Sequence, residues 1–336
     1  MASPTALSDV PDDVLLHHVL TLLDPTTLAS FSCVSARFRS LVASSSLWSL
    51  LCAVTWPSTR SQLLRHVIPS FPSHDPHLCF FSQSYTVIAS DPGSRPRSGR
   101  GIGRLISAVD LRYRGDIVFS RAAETETSSS WFVQSPFRID LLDPKEAVPT
   151  PIPSLDTPGI CLELRDDLTL SWIAVDPEGK RAVNLSSHRA VSVERHWLSG
   201  EVEARFSSVL GGDERGTSRE YVEMVVTVKL GGYKDKEGAT EVREVSVRGE
   251  DMEGNGLKGG ESLRAVEAGG FGGRRIGGGR GRHEGLWRER KEEWGMRKAR
   301  NEGRLDGCLC VVFGMAAAAL GFWSFSWAAT FITVFW

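Results

Sequence analysis

Charge is absent from the end of this chain: Gly307 to Trp336 reads GCLCVVFGMAAAALGFWSFSWAATFITVFW, without one Asp, Glu, Lys, Arg or His. A helix of about 20 mostly apolar residues spans a bilayer's hydrocarbon core, and one central charge would cost roughly 3 kcal/mol. The run is therefore expected to be a single transmembrane helix. A buried core helix is the competing reading, but Trp323, Trp327, Phe331, Phe335 and Trp336 would make it apolar all round. Cysteine is also sparse. The six cysteines (33, 52, 79, 161, 308 and 310) form no C-x-x-C pair, which excludes a zinc ribbon and a disulfide framework. His74 and His77 have no third or fourth ligand nearby, so no metal is expected. The opening MASPTALSDVPDD lacks both a basic flank and an apolar stretch, and so does not read as a signal peptide. There is no G-x-S-x-G elbow, P-loop or H-E-x-x-H, and Glu163, Asp166 and Asp167 read as a solvated turn between strands. No catalytic residue, cofactor or metal is expected, and the chain is not read as an enzyme.

The net charge of −2 conceals an asymmetry. Basic residues crowd the approach to the apolar run, from Arg274 and Arg275 through Arg280, Arg282, Arg288, Arg290 and Lys291 to Arg297, Lys298, Arg300 and Arg304. A cationic flank stays on the cytoplasmic side of a span. This predicts a tail-anchored protein with its bulk on the cytosolic face, and Ala, Gly and Ser within the span favour a thinner bilayer such as the endoplasmic reticulum. Without insertion the location would be cytoplasm or nucleus. Residues 251–283 read as a Gly/Arg-rich flexible linker and 284–305 as a charged, basic helix with Trp287 and Trp294 on one face. The Arg/Gly tract supports an alternative function, a membrane-tethered scaffold or RNA-binding protein, although one short tract is weak footing for nucleic acid.

Between these ends the signal is β. Residues 57–103 read as a connector with room for a short helix over Ser61-Gln62-Leu63-Leu64 and Val67-Ile68, broken by Pro69, Pro72 and Pro76 and followed by a loop with Pro92, and 104–250 as a domain of short strands. Leu168–Val175, Tyr221–Leu230 and Val242–Val247 are the clearest runs. Trp131–Val133 and Cys161–Leu164 are also read as strand. Turns such as Asp176-Pro177-Glu178-Gly179 predict an antiparallel, sandwich-like domain with one wet face.

Residues 1–56 read as a small all-α module. Pro11 suits a first helical turn, with Asp12 and Asp13 complementing its positive end. Leu15, Val19, Leu22 and Leu23 share a face, Asp24-Pro25 restarts a helix, and Phe38, Leu41 and Val42 follow Ser35. Val10-Pro11, Asp13, Val14-Leu15, Val19-Leu20, Leu23-Asp24, Leu28, Cys33-Val34, Phe38, Leu41 and Leu47-Trp48 together resemble the F-box family. Val10 stands where that family has Leu, Phe38 stands where Trp is common, and the first helix is one residue longer. The resemblance implies docking onto a Skp-type adaptor, and through it a cullin, through Val10, Pro11, Val14, Leu15, Leu23, Leu28, Leu47 and Trp48. It further implies a substrate-recognition subunit of a ubiquitin ligase acting on an unknown protein. The whole is expected to be α+β: an N-terminal F-box, a β-domain, a basic helix and a membrane tail over 307–336.

Overall fold

The computed structural model describes residues 10–89, 91–93, 101–212, 214–232, 239–276, 282 and 284–300, together with 313, 315–317 and 320. It divides into two compact units, Met1–Trp287 and Arg288–Trp336. In the second, residues 288–300 are helical, and Arg290 pairs with Glu293 at 2.8 Å one turn away. Most of the predicted membrane segment lies outside the described residues. Among the described residues, no single helix is long and apolar enough to cross a membrane.

The first unit opens with short helices: α1 (Asp12–Val14), a π-helical turn (Leu15–Val19), a 3-10 turn (Leu20–Leu22), α2 (Pro25–Ser32), α3 (Ala36–Val42) and α4 (Ser45–Thr55). Residues read as a connector continue the helical layer. A 3-10 turn (Pro57–Arg60) and α5 (Gln62–Val67) lead to α6 (Pro76–Tyr85), which Asp75 caps by accepting from the backbone N–H groups of His77 and Leu78. Trp56, Leu64, Ile68, Phe71, Phe80 and Phe81 are all buried there. Pro57, Pro69 and Pro76 stand in the first turns of helical segments, so they punctuate structure rather than interrupt it.

Two antiparallel sheets follow. The first has four strands in the order β3 (Asp116–Glu126), β2 (Arg104–Tyr113), β6 (Leu168–Asp176), β7 (Arg181–Asn184). The second is ordered β4 (Arg138–Asp140), β11 (Thr240–Asp251), β10 (Tyr221–Gly232), β9 (Val202–Gly211), β8 (Ser192–Arg195), with β5 (Val148–Thr150) sharing the free edge of β11. Leu105, Val109 and Leu111 of β2 and Leu170, Trp172 and Ala174 of β6 share one core with Phe206, Val226 and Val228 of the second sheet. The intervening residues Ile106, Ala108, Ile173 and Val175 belong to a second core with Trp48, Trp56, Phe80 and Phe81. Period-two alternation thus feeds two cores at once. The expected wet face is absent at this end of the first sheet, because the helices of residues 10–85 cover it.

Two segments read as strand are helical. Trp131–Val133 belongs to α7 (Ser130–Gln134), whose cap Ser129 accepts from the Phe132 N–H at 3.2 Å. Cys161–Leu164 belongs to α8 (Ile160–Asp167), which follows Gly159 at φ +82° and buries Ile160 and Leu164 while leaving Leu162 exposed. A run as short as Cys161–Leu164 fits either period, and here the buried i, i+4 pair Ile160 and Leu164 decides. Glu163 and Asp167 therefore lie on a helix, where they flank Arg114 at 2.9 and 2.8 Å.

The stretch read as a Gly/Arg-rich flexible linker also contains structure. α9 (Gly259–Ala265) runs into a π-helical turn (Val266–Phe271) that buries Gly269 and Gly270. β12 (Arg274–Ile276) then pairs with β1 (Val87–Ala89). Glycine serves close approach here: a Cβ on Gly259 would lie 2.1 Å from the Phe132 carbonyl oxygen. Arg275 donates to the carbonyls of Gln83 (2.5 Å) and Ala182 (3.3 Å), so this arginine of the tract fastens main chain. Residues 277–281 and 283 lie outside the described set.

Candidate functional site

The N-terminal module holds itself together through caps and one arginine. The Asp24 carboxylate accepts from the N–H groups of Thr26 (2.9 Å) and Thr27 (3.0 Å) and from both hydroxyls, with Pro25 at the first helical position. Those bonds, led by the Thr26 and Thr27 hydroxyls, hold its carboxyl well below the usual carboxylate range. Ser35 caps α3 by accepting from the Phe38 N–H at 3.2 Å, and Phe31 stacks on Phe38 at 4.2 Å. Arg37 pairs with Asp12 at 2.6 Å and donates to the Val10 carbonyl at 2.6 Å, tying the start of α3 to the Val10-Pro11 corner. The Trp48 indole N–H donates to the Val42 carbonyl at 2.6 Å, and its ring packs on Phe81.

These constraints sort the eight residues implied as adaptor contacts. Leu15 and Leu28 are fully buried, and Leu47 and Trp48 are buried within the helical core. Val10 and Leu23 are partly exposed, whereas Pro11 and Val14 lie open on the surface. Four large apolar residues among the described part of residues 1–56, outside the eight, are more open than Val14: Leu22 at 82%, Val34 at 69%, Val54 at 56% and Leu50 at 45%. Leu22 reads as part of the buried stripe because the sequence suggests an unbroken α-helix. Instead the extra residue of the first helix is absorbed as the π-turn Leu15–Val19. Leu15 and Leu20, five apart, are both buried, and Leu22 turns outward. That five-residue spacing was the available signal.

The module ends against the β-sheet. The N–H and hydroxyl of Ser58 donate to the Asp110 carboxylate at 2.9 and 2.5 Å, and the Ser120 hydroxyl donates to it at 2.6 Å. Burial raises the Asp110 pKa despite these bonds. Arg112, one row further along β2, donates to the carbonyls of Val54 (2.7 Å), Thr55 (3.3 Å) and Gly115 (2.8 Å), closing the C-terminal end of α4. The helices and the sheet are therefore joined by hydrogen bonds as well as by apolar contact. Among the described residues, no group of three or more His, Cys, Asp or Glu side chains could hold a metal ion.

Comparison with known proteins agrees with this anatomy. The F-box domain model matches residues 7–50. Three proteins of Arabidopsis thaliana are similar along most of the chain. "Probable F-box protein At2g36090" is 42% identical over 94% of this chain and 92% of its own length. "F-box protein At3g44326" is 41% identical over 78% of this chain and 73% of its own. "F-box protein At2g27310" is 36% identical over 95% and 96%. The likeness thus runs well past the N-terminal helices into the sheets and beyond. The chain belongs to the F-box proteins, with its F-box domain at residues 7–50 and these plant proteins as its relatives.

Proposed function

We propose that this protein is the substrate-recognition subunit of a Skp–cullin–F-box ubiquitin ligase, non-catalytic itself, and held on a membrane by residues 307–336 with its folded part on the cytosolic face. The observation that carries the reading is the F-box domain match combined with the apolar side chains left open on that module. Val14, Leu22 and Val34 have no counterpart within the fold to justify their exposure, and a partner surface covers such groups at a gain. Val10 and Pro11 precede Val14 and Leu23 follows Leu22 along the chain, whereas Leu15, Leu28, Leu47 and Trp48 act by shaping the module from within. The β-domain presents a protein substrate, and the uncharged tail supports a membrane location such as the endoplasmic reticulum. The test is co-purification of the full chain with a Skp-type adaptor. Val14→Asp together with Val34→Asp is expected to abolish it while circular dichroism stays unchanged, since both positions are surface-exposed. Undiminished binding by that folded variant would reject the assigned face.

A further inference from the structure

The helix-facing side of the four-stranded sheet changes chemistry along its length. Its rows Ile106–Val175 and Ala108–Ile173 are apolar and lie beneath the helices. The next two rows, Asp110–Ser171 and Arg112–Thr169, are polar, and a cavity of about 410 Å³ opens there between the sheet and the ends of α4 and α6. That volume lies within the range of small-molecule sites. Val54 and Trp56 contribute apolar wall, and Ser84, Thr169, Ser171 and Asn184 contribute hydroxyl and amide groups.

Two features point to a ligand and to its charge. The Ser84 hydroxyl lines this cavity, is fully buried, and has no hydrogen-bond partner. Buried polar groups without partners are rare, and each calls for a physical reason. The wall also carries His188, and its two charged groups are committed elsewhere: Asp110 to Ser58 and Ser120, Arg112 to three backbone carbonyls. Opposite in sign and close together on β2, they also offset one another. What the cavity offers a guest is hydroxyl, amide and imidazole hydrogen bonding beside the apolar surface of Val54 and Trp56.

We infer that this cavity binds a small uncharged molecule carrying hydroxyl groups on one edge and an apolar face on the other. The site lies outside the adaptor face and stands independently of it. Phenyl β-D-glucoside is a probe of that chemistry, with benzoate and phenyl phosphate as anionic counterparts. Saturation-transfer NMR on the full chain is expected to show transfer to both rings of the glucoside, with the two anions weaker. Ser84→Ala removes only an unpartnered hydroxyl, so its melting temperature is expected to hold or rise while glucoside affinity falls about two- to ten-fold, the range of one hydrogen bond. Thr169→Trp, which fills the cavity, is expected to abolish transfer. No transfer at millimolar glucoside, equal affinity in wild type and both variants, or tighter binding of either anion would overturn the inference.

Discussion

At the residue scale, Asp110 shows how one buried carboxylate can join two parts of a chain. Replacing it with Ala leaves the buried N–H and hydroxyl of Ser58 without their acceptor, the exposed Ser120 hydroxyl turning to water, and unsatisfied buried donors cost roughly 1–3 kcal/mol each. Asp110→Ala is therefore expected to destabilise by about 2–4 kcal/mol in denaturant titration. Asp110→Asn retains an acceptor for Ser58 and is expected to cost less. Because burial raises the folded pKa of this carboxyl above its unfolded value, the folded state holds its proton longer, and stability falls as pH rises from about 4 upward through the folded pKa. Asp110→Asn is expected to flatten that part of the wild-type profile. Asp24 has the opposite sign: its depressed pKa contributes stability at neutral pH that is lost on acidification below the ordinary carboxylate range. Its role was legible in Asp24-Pro25-Thr26-Thr27, because a cap is a local device. The role of Asp110 was not, since its partner Ser58 is 52 residues away.

At the element scale, local pattern served best where caps and long alternation agree. β10 and β11 follow the apolar alternation seen in the sequence, and α2 begins where Asp24-Pro25 requires. Short segments were ambiguous: α7 and α8 span five and eight residues, too few for period alone to distinguish helix from strand. Glycine misled for a related reason, since composition cannot tell a flexible glycine from one crowded by a neighbour. Gly259 is of the second kind, with the Phe132 carbonyl where a Cβ would sit. Gly259→Ala is expected to destabilise by about 1–3 kcal/mol, the usual range for overpacking, measured as a shift in the urea midpoint. Gly232 serves as control, because a Cβ added there would meet nothing within 4 Å: Gly232→Ala is expected to stay near wild type. Equal effects at the two sites would rule out the packing explanation.

At the scale of the whole molecule, the F-box helices and the β-domain share a core, and this changes what a truncation does. Deleting residues 1–56 strips Leu47, Trp48, Leu51 and Trp56 from the core they share with Phe80 and Phe81 of α6, and burial of such side chains contributes about 1.5–3 kcal/mol each. Set against a total stability of roughly 5–15 kcal/mol, that loss is large. The truncated chain is expected to bind a hydrophobic dye and unfold at lower temperature, rather than persist as an intact recognition domain. Unchanged cooperative unfolding would show the two parts to be independent. The tail has its own check: the full chain is expected to resist alkaline carbonate extraction, and a version ending at Asp306 to be released. Release of both would remove the membrane assignment.

The sequence by itself determined the F-box, the β character of the middle and the uncharged end, because each is carried by residues near one another along the chain. Tertiary structure alone decided that β2 and β6 are buried on both faces, that the extra residue of the first helix becomes a π-turn, and that presumed linkers supply α6 and β12. It also separated the residues of the module that remain open, Pro11, Val14, Leu22 and Val34, from Leu15, Leu28, Leu47 and Trp48, which the core encloses. The physical reason is common to all of these. A side chain's periodicity states which neighbours it faces along its own element, but only the packing of distant elements states whether that face meets water, another helix or a second sheet.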